Sequence, residues 1–366
     1  MATHVAAVFT DKGQPFEVQA LPTPKPGPGE LLIAVKSVAL NLVDNYMRSL
    51  GLFITTYPMV IGFDVVGLVL EVGEGVPTGN AGDGALVFQP GVTGVAAYAA
   101  SFWKSVAPDY GTFQERCIVP WQHAVPLPNN GAISWNQAAT LPTAVEVGLN
   151  AWDTLGILRG GEAKAASKSE ALLVWGASSS VGTMGVQSAR LIREDPSSPF
   201  TAVYATAGAA NHDYVSSLGA DRVFDHKDPE VVGAIVSAAK ESGVTIRHCF
   251  YAAGQLRPCQ DVLAAFLGTG DNTKSKISAA PYVPPGTEQV DDVEVISLLP
   301  ASDEETRLEK FKYWMGMWAR ENLANATVKP SPEPTVVGKE LGDLNAGLDK
   351  LSQGVSCTKL VVQIGE

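Results

Sequence analysis

A regular alternation of short apolar runs with helical segments over residues 171–254 restricts the fold of this sequence more than any other feature. The runs ALLVWG, TAVYATAG, DRVFDH and IRHCFYAAG have the length and composition of buried strands, and segments with helical patterning separate them. Strands joined through helices pair in parallel, because each crossover returns the chain to the same edge of the sheet. The sequence therefore predicts an α/β fold with a doubly wound parallel sheet.

The turn after the first of these strands has small residues where a dinucleotide phosphate would bind. Backbone N–H groups and the positive end of a helix can approach phosphate oxygens there. The predicted contacts are Gly176, Ala177, Ser178, Ser179, Ser180, Val181 and Gly182. The segment departs from GxGxxG, since alignment on Gly182 places Ala177 and Ser179 at the earlier glycines. An ordinary strand-to-helix turn is the alternative, but the βαβ context favours a Rossmann-type cofactor site.

The end of the second strand indicates which dinucleotide binds. Residues 205–212 contain no carboxylate, which would hydrogen-bond the 2′-hydroxyl of NAD and repel a 2′-phosphate, so NADPH is favoured. Arg and Lys are absent as well, and recognition would fall to hydroxyl and amide groups. The candidates are Ser179, Ser180, Asn211 and Tyr214. Thr206, Ala253 and Gly254, at the ends of the second and fourth strands, are further predicted cofactor contacts.

The segments on either side of this region differ from it in pattern. The N-terminal third is punctuated by Pro and Gly between strand-like runs such as LLIAVKSVAL and VIGFDVVGLVLEV, and the strand-like KLVVQIG closes the chain. Helical spacing begins near Trp135. We predict a β-rich catalytic domain of residues 1–133 and 310–366, and a cofactor domain of residues 134–309.

Charge and hydropathy exclude several classes of protein. The net charge of −12 disfavours nucleic acid as a partner, because phosphate backbones are bound mainly by Lys and Arg. No stretch approaches the roughly 18 apolar residues of a membrane span. The four cysteines form no CxxC pair and are expected to be reduced. These features predict a soluble, cytoplasmic protein. We expect it to be a monomer or homodimer.

Several motifs together resemble the medium-chain dehydrogenase/reductase superfamily. They are IGFDVVGLVLEVG, the Gly82-Asp83-Gly84 turn, YGTFQERCIVP, AATLPTA and LLVWGASSSVG. Within the superfamily they resemble the zinc-free quinone oxidoreductases and the fungal trans-acting enoyl reductases, including the toxD-like and cipB-like proteins. The resemblance covers nearly the whole chain and implies a GroES-like β-rich domain beside the Rossmann domain.

The same resemblance bears on metal binding. Zinc alcohol dehydrogenases have a Cys just after the strand that ends here at Ala39-Leu40-Asn41, and Gly-His-Glu where this chain has Gly62-Phe63-Asp64. The lobe that holds four clustered Cys in those enzymes corresponds to residues 91–109, which contain no Cys. We therefore expect no catalytic or structural zinc.

Resemblance also supplies candidate catalytic residues in the segment NLVDNY, which is similar to an NPxDxY stretch lining the nicotinamide pocket. By that carry-over Asn41 would donate to the substrate or to the cofactor amide, Tyr46 would donate to a developing oxyanion, and Asp44 would orient its neighbours. Alternatively, Tyr46 is a packing residue and Asp44 caps a short helix.

Three further features bear on the site, and the last two have two interpretations each. Val147 stands where the family usually has a Thr near the nicotinamide. Aromatic residues of segment 95–110, with Phe53 and Tyr57, could line an apolar substrate pocket or form ordinary core or a dimer contact. Lys359 lies near where a basic residue reaches the cofactor pyrophosphate in the superfamily, and the alternative is a solvated Lys before an edge strand.

The chemistry favoured is hydride transfer from NADPH to an activated C=C bond, since conjugate reduction needs only stabilisation of an enolate-like oxygen followed by protonation. The substrate would be an apolar small molecule or acyl group, and a polyketide synthase carrier domain is a possible partner. A quinone reductase is the alternative within the same class. A catalytically silent, crystallin-like nucleotide-binding protein is the alternative from another class, and Val147 is the feature that favours it.

Overall fold

The computed structural model describes residues 2–79, 86–101, 103–104, 107–128, 131–157, 169–268 and 274–365. The chain divides into a β-rich unit, Met1–Glu146 with Ala301–Glu366, and a parallel-sheet unit, Val147–Pro300. Residues 134–146 and 301–309, which the sequence interpretation placed in the cofactor domain, belong here to the β-rich unit. The Gly82-Asp83-Gly84 turn lies outside the described residues.

Strands account for most of the framework in both units. They are β1 Thr3–Val8, β2 Glu17–Pro22, β3 Glu30–Ala39, β4 Asp64–Val72, β5 Gly94–Tyr98, β6 Arg116–Pro120, β7 Ala124–Pro126, β8 Glu170–Trp175, β9 Phe200–Ala207, β10 Arg222–Asp225, β11 Thr245–Tyr251, β12 Ser275–Ala279, β13 Val293–Ser297, β14 Pro334–Gly338 and β15 Lys359–Gln363.

Ten α-helices are present in the described part of the chain. They are α1 Leu42–Leu50, α2 Trp135–Ala138, α3 Pro142–Thr154, α4 Ser180–Glu194, α5 His212–Ser217, α6 Val231–Glu241, α7 Leu256–Ala264, α8 Glu304–Phe311, α9 Arg320–Ala324 and α10 Leu344–Ser352. A π-helical segment, Lys312–Ala319, joins α8 to α9. No described helix combines the length and the apolar character that a membrane crossing requires.

The main sheet of the β-rich unit has the strand order β14-β15-β3-β4-β5-β7, and β6 also pairs with β3. Strand β3 lies at the centre of this sheet because it pairs with β4, β6 and β15. Its residues Leu31, Ile33 and Val35 are buried. The closing strand β15 runs antiparallel to β3, with Val361 opposite Ala39. The prediction that the chain returns to its β-rich part after the Rossmann region is therefore confirmed.

In the parallel-sheet unit the strand order is β10-β9-β8-β11-β12-β13, and every pairing is parallel. Two apolar clusters cover its faces, one around Trp152, Val186 and Phe250 and the other around Ile235 and Phe266. Helix α4 packs on the sheet through Gly185, where an added Cβ would lie 2.5 Å from the Phe250 ring. The predicted doubly wound sheet is confirmed. Within the described residues it contains two strands, β12 and β13, besides the four of the alternating region.

Candidate functional site

The turn between β8 and α4 is tied to the neighbouring strand by two hydrogen bonds. The backbone N–H of Ala177 donates to the Thr206 carbonyl over 2.8 Å, and the N–H of Gly176 donates to Thr206 Oγ1 over 3.0 Å. Thr206 is fully buried at the end of β9. The structure thus gives Thr206 the role of anchoring the turn through its side chain.

Two glycines set how tightly this turn closes. Gly176 has φ +81°, and a Cβ there would lie 2.6 Å from the carbonyl oxygen of Ala253. A Cβ on Gly182 would lie 2.3 Å from the carbonyl oxygen of Gly176. Both distances are shorter than real Cβ contacts, so neither position accepts a side chain without a backbone shift. The chain keeps glycine at these two points although the literal GxGxxG pattern is absent.

Ser179 is the N-cap of α4. Its Oγ accepts a hydrogen bond from the N–H of Gly182 over 3.1 Å and donates to the Gly176 carbonyl over 2.8 Å. The hydroxyl is therefore engaged in shaping the turn. The buried Ser180 Oγ has no hydrogen-bond partner among the described residues, so a ligand could use this hydroxyl.

The turn fits a dinucleotide pyrophosphate. Strand order reverses between β8 and β11, and the carboxyl ends of strands beside such a reversal are where open α/β sheets bind ligands. Ala177 and Gly182 are buried, whereas Gly176 and 178–181 are half-buried and reachable from solvent. Gly254, after β11, has φ +102°, and its carbonyl accepts a hydrogen bond from the Tyr251 hydroxyl over 2.7 Å.

The remaining cofactor candidates lie where the chain leaves β9. Gly208 is half-buried, and the N–H of Asn211 donates to its carbonyl over 2.8 Å. Asn211 and Tyr214 are also half-buried, at the start of α5 and within it. Val147 packs partly buried against the apolar cluster around Trp152.

Charged and polar side chains of the β-rich unit meet in a second arrangement, the polar cluster, defined as Asn41, Asp44, Asp64, Thr143 and Lys359. The Lys359 ammonium lies 2.6 Å from Asn41 Oδ1 and 3.0 Å from Asp64 Oδ2. The side chain of Lys359 is 4% exposed and that of Asp64 is fully buried. A buried ion pair with this geometry depends on complete hydrogen bonding of its partners.

Asp64 receives that hydrogen bonding at both oxygens. Its Oδ1 accepts from the N–H of Thr143 over 2.7 Å and from Thr143 Oγ1 over 2.6 Å. Its Oδ2 accepts from Asn41 Nδ2 over 3.0 Å in addition to the Lys359 contact. Thr143 was not singled out from the sequence, although its place directly after Pro142 at the start of α3 was a usable signal. In the sequence analysis, Asp64 was considered only because it stands where zinc alcohol dehydrogenases have the Glu of Gly-His-Glu.

Asp44 caps helix α1 and is fully buried. Its Oδ2 accepts from the N–H of Asn41 over 2.7 Å, while no described residue hydrogen-bonds its Oδ1. Burial away from water raises the pKa of this carboxyl to about 8; the hydrogen bond from Asn41 opposes the shift and the nearby Asp64 charge adds to it. The capping role considered for Asp44 is thus what the geometry shows, and at neutral pH this acid is mostly protonated.

Lys359 differs from its sequence-based alternative of a solvated lysine before an edge strand. Strand β15 pairs with both β14 and β3, so it is internal to the sheet, and the Lys359 side chain is directed into the polar cluster. That alternative is wrong, because charge pairing with Asp64 outweighs solvation of the ammonium. The contact of Lys359 with a pyrophosphate stays a prediction.

Helix α1 separates the three predicted catalytic residues. Asn41 and Asp44 lie in the polar cluster, and the Asn41 amide is directed at Asp64 and, over 3.5 Å, at the Ala39 carbonyl. Tyr46 is 45% exposed, on the same side of the helix as the exposed Leu42 and Leu50. The structure therefore brings Asn41 and Asp44 together and leaves Tyr46 accessible from solvent.

Tyr98 and Trp103, two aromatic residues of the 95–110 segment, pack against each other and against Phe311. Tyr98 contacts Phe311 and Trp103, with ring centroids 5.5 and 5.9 Å apart, and His123 stacks on Phe311 at 3.9 Å. Burial lowers the pKa of His123 to about 3, which keeps the imidazole neutral. These rings form core, whereas Phe53 is 40% exposed.

Among the residues that the structure describes, no cluster of three or more His, Cys, Asp or Glu side chains could hold a metal ion. The positions that correspond to zinc ligands in alcohol dehydrogenases are instead taken up by the polar cluster and its surroundings. Asn41 and Asp64 both contact the Lys359 ammonium, and Phe63 packs against Tyr98 at a centroid distance of 5.5 Å.

The chain is similar to known proteins both in one domain and over its full length. Residues 27–129 match the alcohol dehydrogenase GroES-like domain family. The chain is 38% identical to the trans-enoyl reductase tndF of Aspergillus flavipes over 364 residues, 99% of each chain. It is 39% identical to the trans-enoyl reductase tazE of Aspergillus terreus over 316 residues, which cover 85% of this chain and 97% of that one.

A solved structure shows the same fold over the whole length. The CurK enoyl reductase superposes with a TM-score of 0.70 at 16% identity and covers 99% of both chains. Near-complete coverage of relatives at 38% identity, together with the GroES-like match and the parallel sheet with its glycine turn, decides the assignment. This chain is therefore a nicotinamide-dependent oxidoreductase of the medium-chain dehydrogenase/reductase superfamily and belongs to the family of the fungal trans-enoyl reductases.

Proposed function

We propose that this protein transfers a hydride from NADPH to the β-carbon of an activated C=C bond in an α,β-unsaturated acyl thioester or ketone. The observation that carries the proposal is the likeness, at 38–39% identity over most of the chain, to two proteins named trans-enoyl reductases. The turn from Gly176 to Gly182 supports it, because its geometry suits a dinucleotide and admits no side chain at either glycine.

The cofactor would be held by backbone N–H groups of the turn and by the Ser180 hydroxyl, with Ala253 and Gly254 beside them at the carboxyl end of β11. When bound, NADPH supplies the hydride, and a proton added at the α-carbon completes the reduction. NADPH is favoured over NADH because residues 205–212 contain no carboxylate that would repel a 2′-phosphate. Tighter binding of NADPH than of NADH is the expected result, and equal dissociation constants would contradict this step.

Tyr46 is the proposed donor to the oxygen that becomes negative during conjugate reduction. Its side chain is 45% exposed, so its hydroxyl is accessible to a ligand. The amide of Asn41, the other donor proposed for this segment, is directed into the polar cluster. A hydrogen bond that strengthens as charge develops lowers the barrier without tightening substrate binding equally.

The function is tested by NADPH oxidation with a matched panel of enoyl thioesters, enones and quinones. Turnover of the first two classes with the saturated product detected by mass spectrometry is expected. Turnover confined to quinones would instead identify a quinone reductase. NADPH binding without turnover of any acceptor would favour the catalytically silent alternative.

The role of Tyr46 is tested by Tyr46→Phe with the best substrate of that panel. We expect kcat to fall by about 10- to 1000-fold with NADPH affinity nearly unchanged, since only the transition state loses a strong hydrogen bond. Tyr282→Phe is a matched control, because Tyr282 is 80% exposed. Wild-type kcat in Tyr46→Phe would make Tyr46 a packing residue.

The name of the relatives suggests a substrate delivered in trans, and we propose that a polyketide synthase carrier domain presents the enoyl group. The test compares kcat/KM for one enoyl chain on a carrier domain and on a small thiol. A higher value for the carrier-bound chain is expected. Equal values would argue that the enzyme acts on free thioesters.

A further inference from the structure

The segment at the end of β9 lacks a cationic side chain that could bind the 2′-phosphate of NADPH. A 2′-phosphate carries up to two negative charges, and residues 205–212 contain no Lys or Arg to meet them. The hydroxyl of Ser179, one of the groups considered for this task, is engaged in capping α4. A cationic group from another segment would resolve this, and the inference below rests on the proposed use of NADPH.

Strand β10 brings such a group to the right place. It runs parallel to β9 with Asp225 opposite Ala207, so the residues that follow each strand emerge at the same edge of the sheet. Gly208 follows Ala207, and His226 follows Asp225. A Cβ placed on Gly208 would have His226 Cε1 as its nearest neighbour, at 3.8 Å. The imidazole therefore borders the space that the glycine leaves open.

The imidazole of His226 is available for a ligand. The residue is exposed, and no described residue hydrogen-bonds its ring. By contrast His212, four residues after Gly208 in the chain, has its Nε2 3.2 Å from the Ala207 carbonyl. The two histidines near this strand end thus differ in that only His226 has both ring nitrogens unengaged.

The charged groups next to His226 come from its own segment and from α5. Asp225 Oδ1 accepts from the N–H of Lys227 over 2.9 Å, and Asp228 Oδ1 accepts from the N–H of Glu230 over 2.9 Å, so each of these two carboxylates is partly satisfied by its own loop. Lys227 is exposed directly after His226, and Asp213 is exposed on α5. The two cationic candidates, His226 and Lys227, therefore stand together at the carboxyl end of β10.

We infer that His226 binds the 2′-phosphate of NADPH and thereby determines the preference of this protein for NADPH over NADH. An imidazolium donates a charge-assisted hydrogen bond to a phosphate oxygen, and neutral imidazole does so more weakly.

The test measures binding of the adenosine halves alone, so that catalysis does not enter. Dissociation constants of 2′,5′-ADP and 5′-AMP are determined by calorimetry at pH 6.5. For the wild type, 2′,5′-ADP should bind about 10- to 100-fold more tightly than 5′-AMP, which is the effect of a hydrogen bond to a charged group.

Three variants separate a direct contact from a general loss of charge. His226→Ala should lose most of the preference for 2′,5′-ADP, and His226→Lys should keep that preference. Arg222→Ala is the matched control, because Arg222 is an exposed cation at the amino end of the same strand. Thermal melting checks that each variant is folded.

Two results would overturn the inference. One is an unchanged 2′,5′-ADP to 5′-AMP ratio in His226→Ala, and the other is an equal loss in Arg222→Ala. A wild type that binds both nucleotides equally while reducing enones would also refute the role of His226 and leave the reductase activity standing. Failure of the wild type to bind either nucleotide would overturn the proposed function together with the inference.

Discussion

The turn between β8 and α4, residues 176–182, is held together by backbone hydrogen bonds, whereas the polar cluster is held together by side chains. In the turn, the backbone N–H groups of Gly176 and Ala177 donate to Thr206. The Cβ positions of Gly176 and Gly182 are too close to backbone atoms for a side chain. In the polar cluster, side chains from four separate segments meet, and two of them, Lys359 and Asp64, form a buried ion pair. The turn is therefore sensitive to added atoms, whereas the cluster is sensitive to removed charge.

Removal of the cation should give the largest effect. Lys359→Met leaves the fully buried Asp64 carboxylate without its counter-charge, and we expect the free energy of unfolding to fall by about 3–5 kcal/mol. Denaturant unfolding followed by circular dichroism measures it. Lys339→Met, at an exposed lysine, should change stability by no more than about 0.5 kcal/mol.

A double variant sharpens the same point. Lys359→Met with Asp64→Asn removes both charges and should recover part of the lost stability. No recovery would mean that packing, and not charge, dominates the cluster.

Asp44 should give the cluster a pH dependence that the turn lacks. Its pKa is raised from 3.8 to about 8, so the folded state holds a proton that the unfolded state has lost. Stability from this group is complete below about pH 4 and declines as pH rises to about 8, by something on the order of a few kcal/mol.

Asp44→Asn keeps an oxygen that can accept from the Asn41 N–H and removes the titration, so this decline should flatten. Unfolding measured from pH 5 to pH 8 decides it. Asp343→Asn, at a half-buried cap that accepts from the Lys339 N–H over 2.8 Å, should retain the wild-type slope. An unaltered slope in Asp44→Asn would show that Asp44 is ionised in the folded protein.

An added methyl group should affect the turn more than an open site. Gly176→Ala forces a Cβ to 2.6 Å from the Ala253 carbonyl oxygen at φ +81°, and we expect a loss of about 1–3 kcal/mol together with weaker binding of 5′-AMP. Gly233→Ala is the counterpart, because Gly233 lies within α6 with nothing within 4 Å of its Cβ position. That variant should gain about 0.5–1 kcal/mol. Equal effects would break the comparison.

The smallest effect is expected at the cap of α4. Ser179→Ala should cost about 1 kcal/mol, as loss of an N-cap does elsewhere. Ser134, the N-cap of α2, is the matched control, since its Oγ likewise accepts an N–H, from Gln137 over 3.3 Å. Both alanine variants should lose similar stability, but only Ser179→Ala should weaken nucleotide binding. Equal nucleotide affinity in the two alanine variants would show that the Ser179 cap does not contribute to cofactor binding.

The sequence predicted those features that depend on contacts between residues close together in the chain. Strands β8 to β11 and helices α4 to α6 were predicted because each is encoded in its own periodicity, and the turn lies between two of them. The short helix α1 was also anticipated from VDNYMRSLG. Strand β12 was missed because Ser275–Ala279 is short and has no distinct pattern of its own.

The polar cluster was beyond prediction for a physical reason. Lys359 and Asn41 are 318 positions apart, and no local pattern distinguishes a buried lysine from a solvated one. Asn41 and Asp44 were chosen through family resemblance, which gave their segment but not the partners that occupy the Asn41 amide. Only the pairing of β15 with β3 brings these residues together.

The position of Lys359 in the chain also bears on how the protein is made. Asp64 and Asn41 leave the ribosome about 300 residues before their cationic partner, which at 5–20 residues per second is a delay of about 15–60 s. During that interval Val147–Pro300 is synthesised and can complete its sheet, while the Asp64 carboxylate on β4 still lacks its counter-charge. The order of synthesis therefore favours a cofactor unit that folds first and a β-rich unit that is completed only when the last strand emerges.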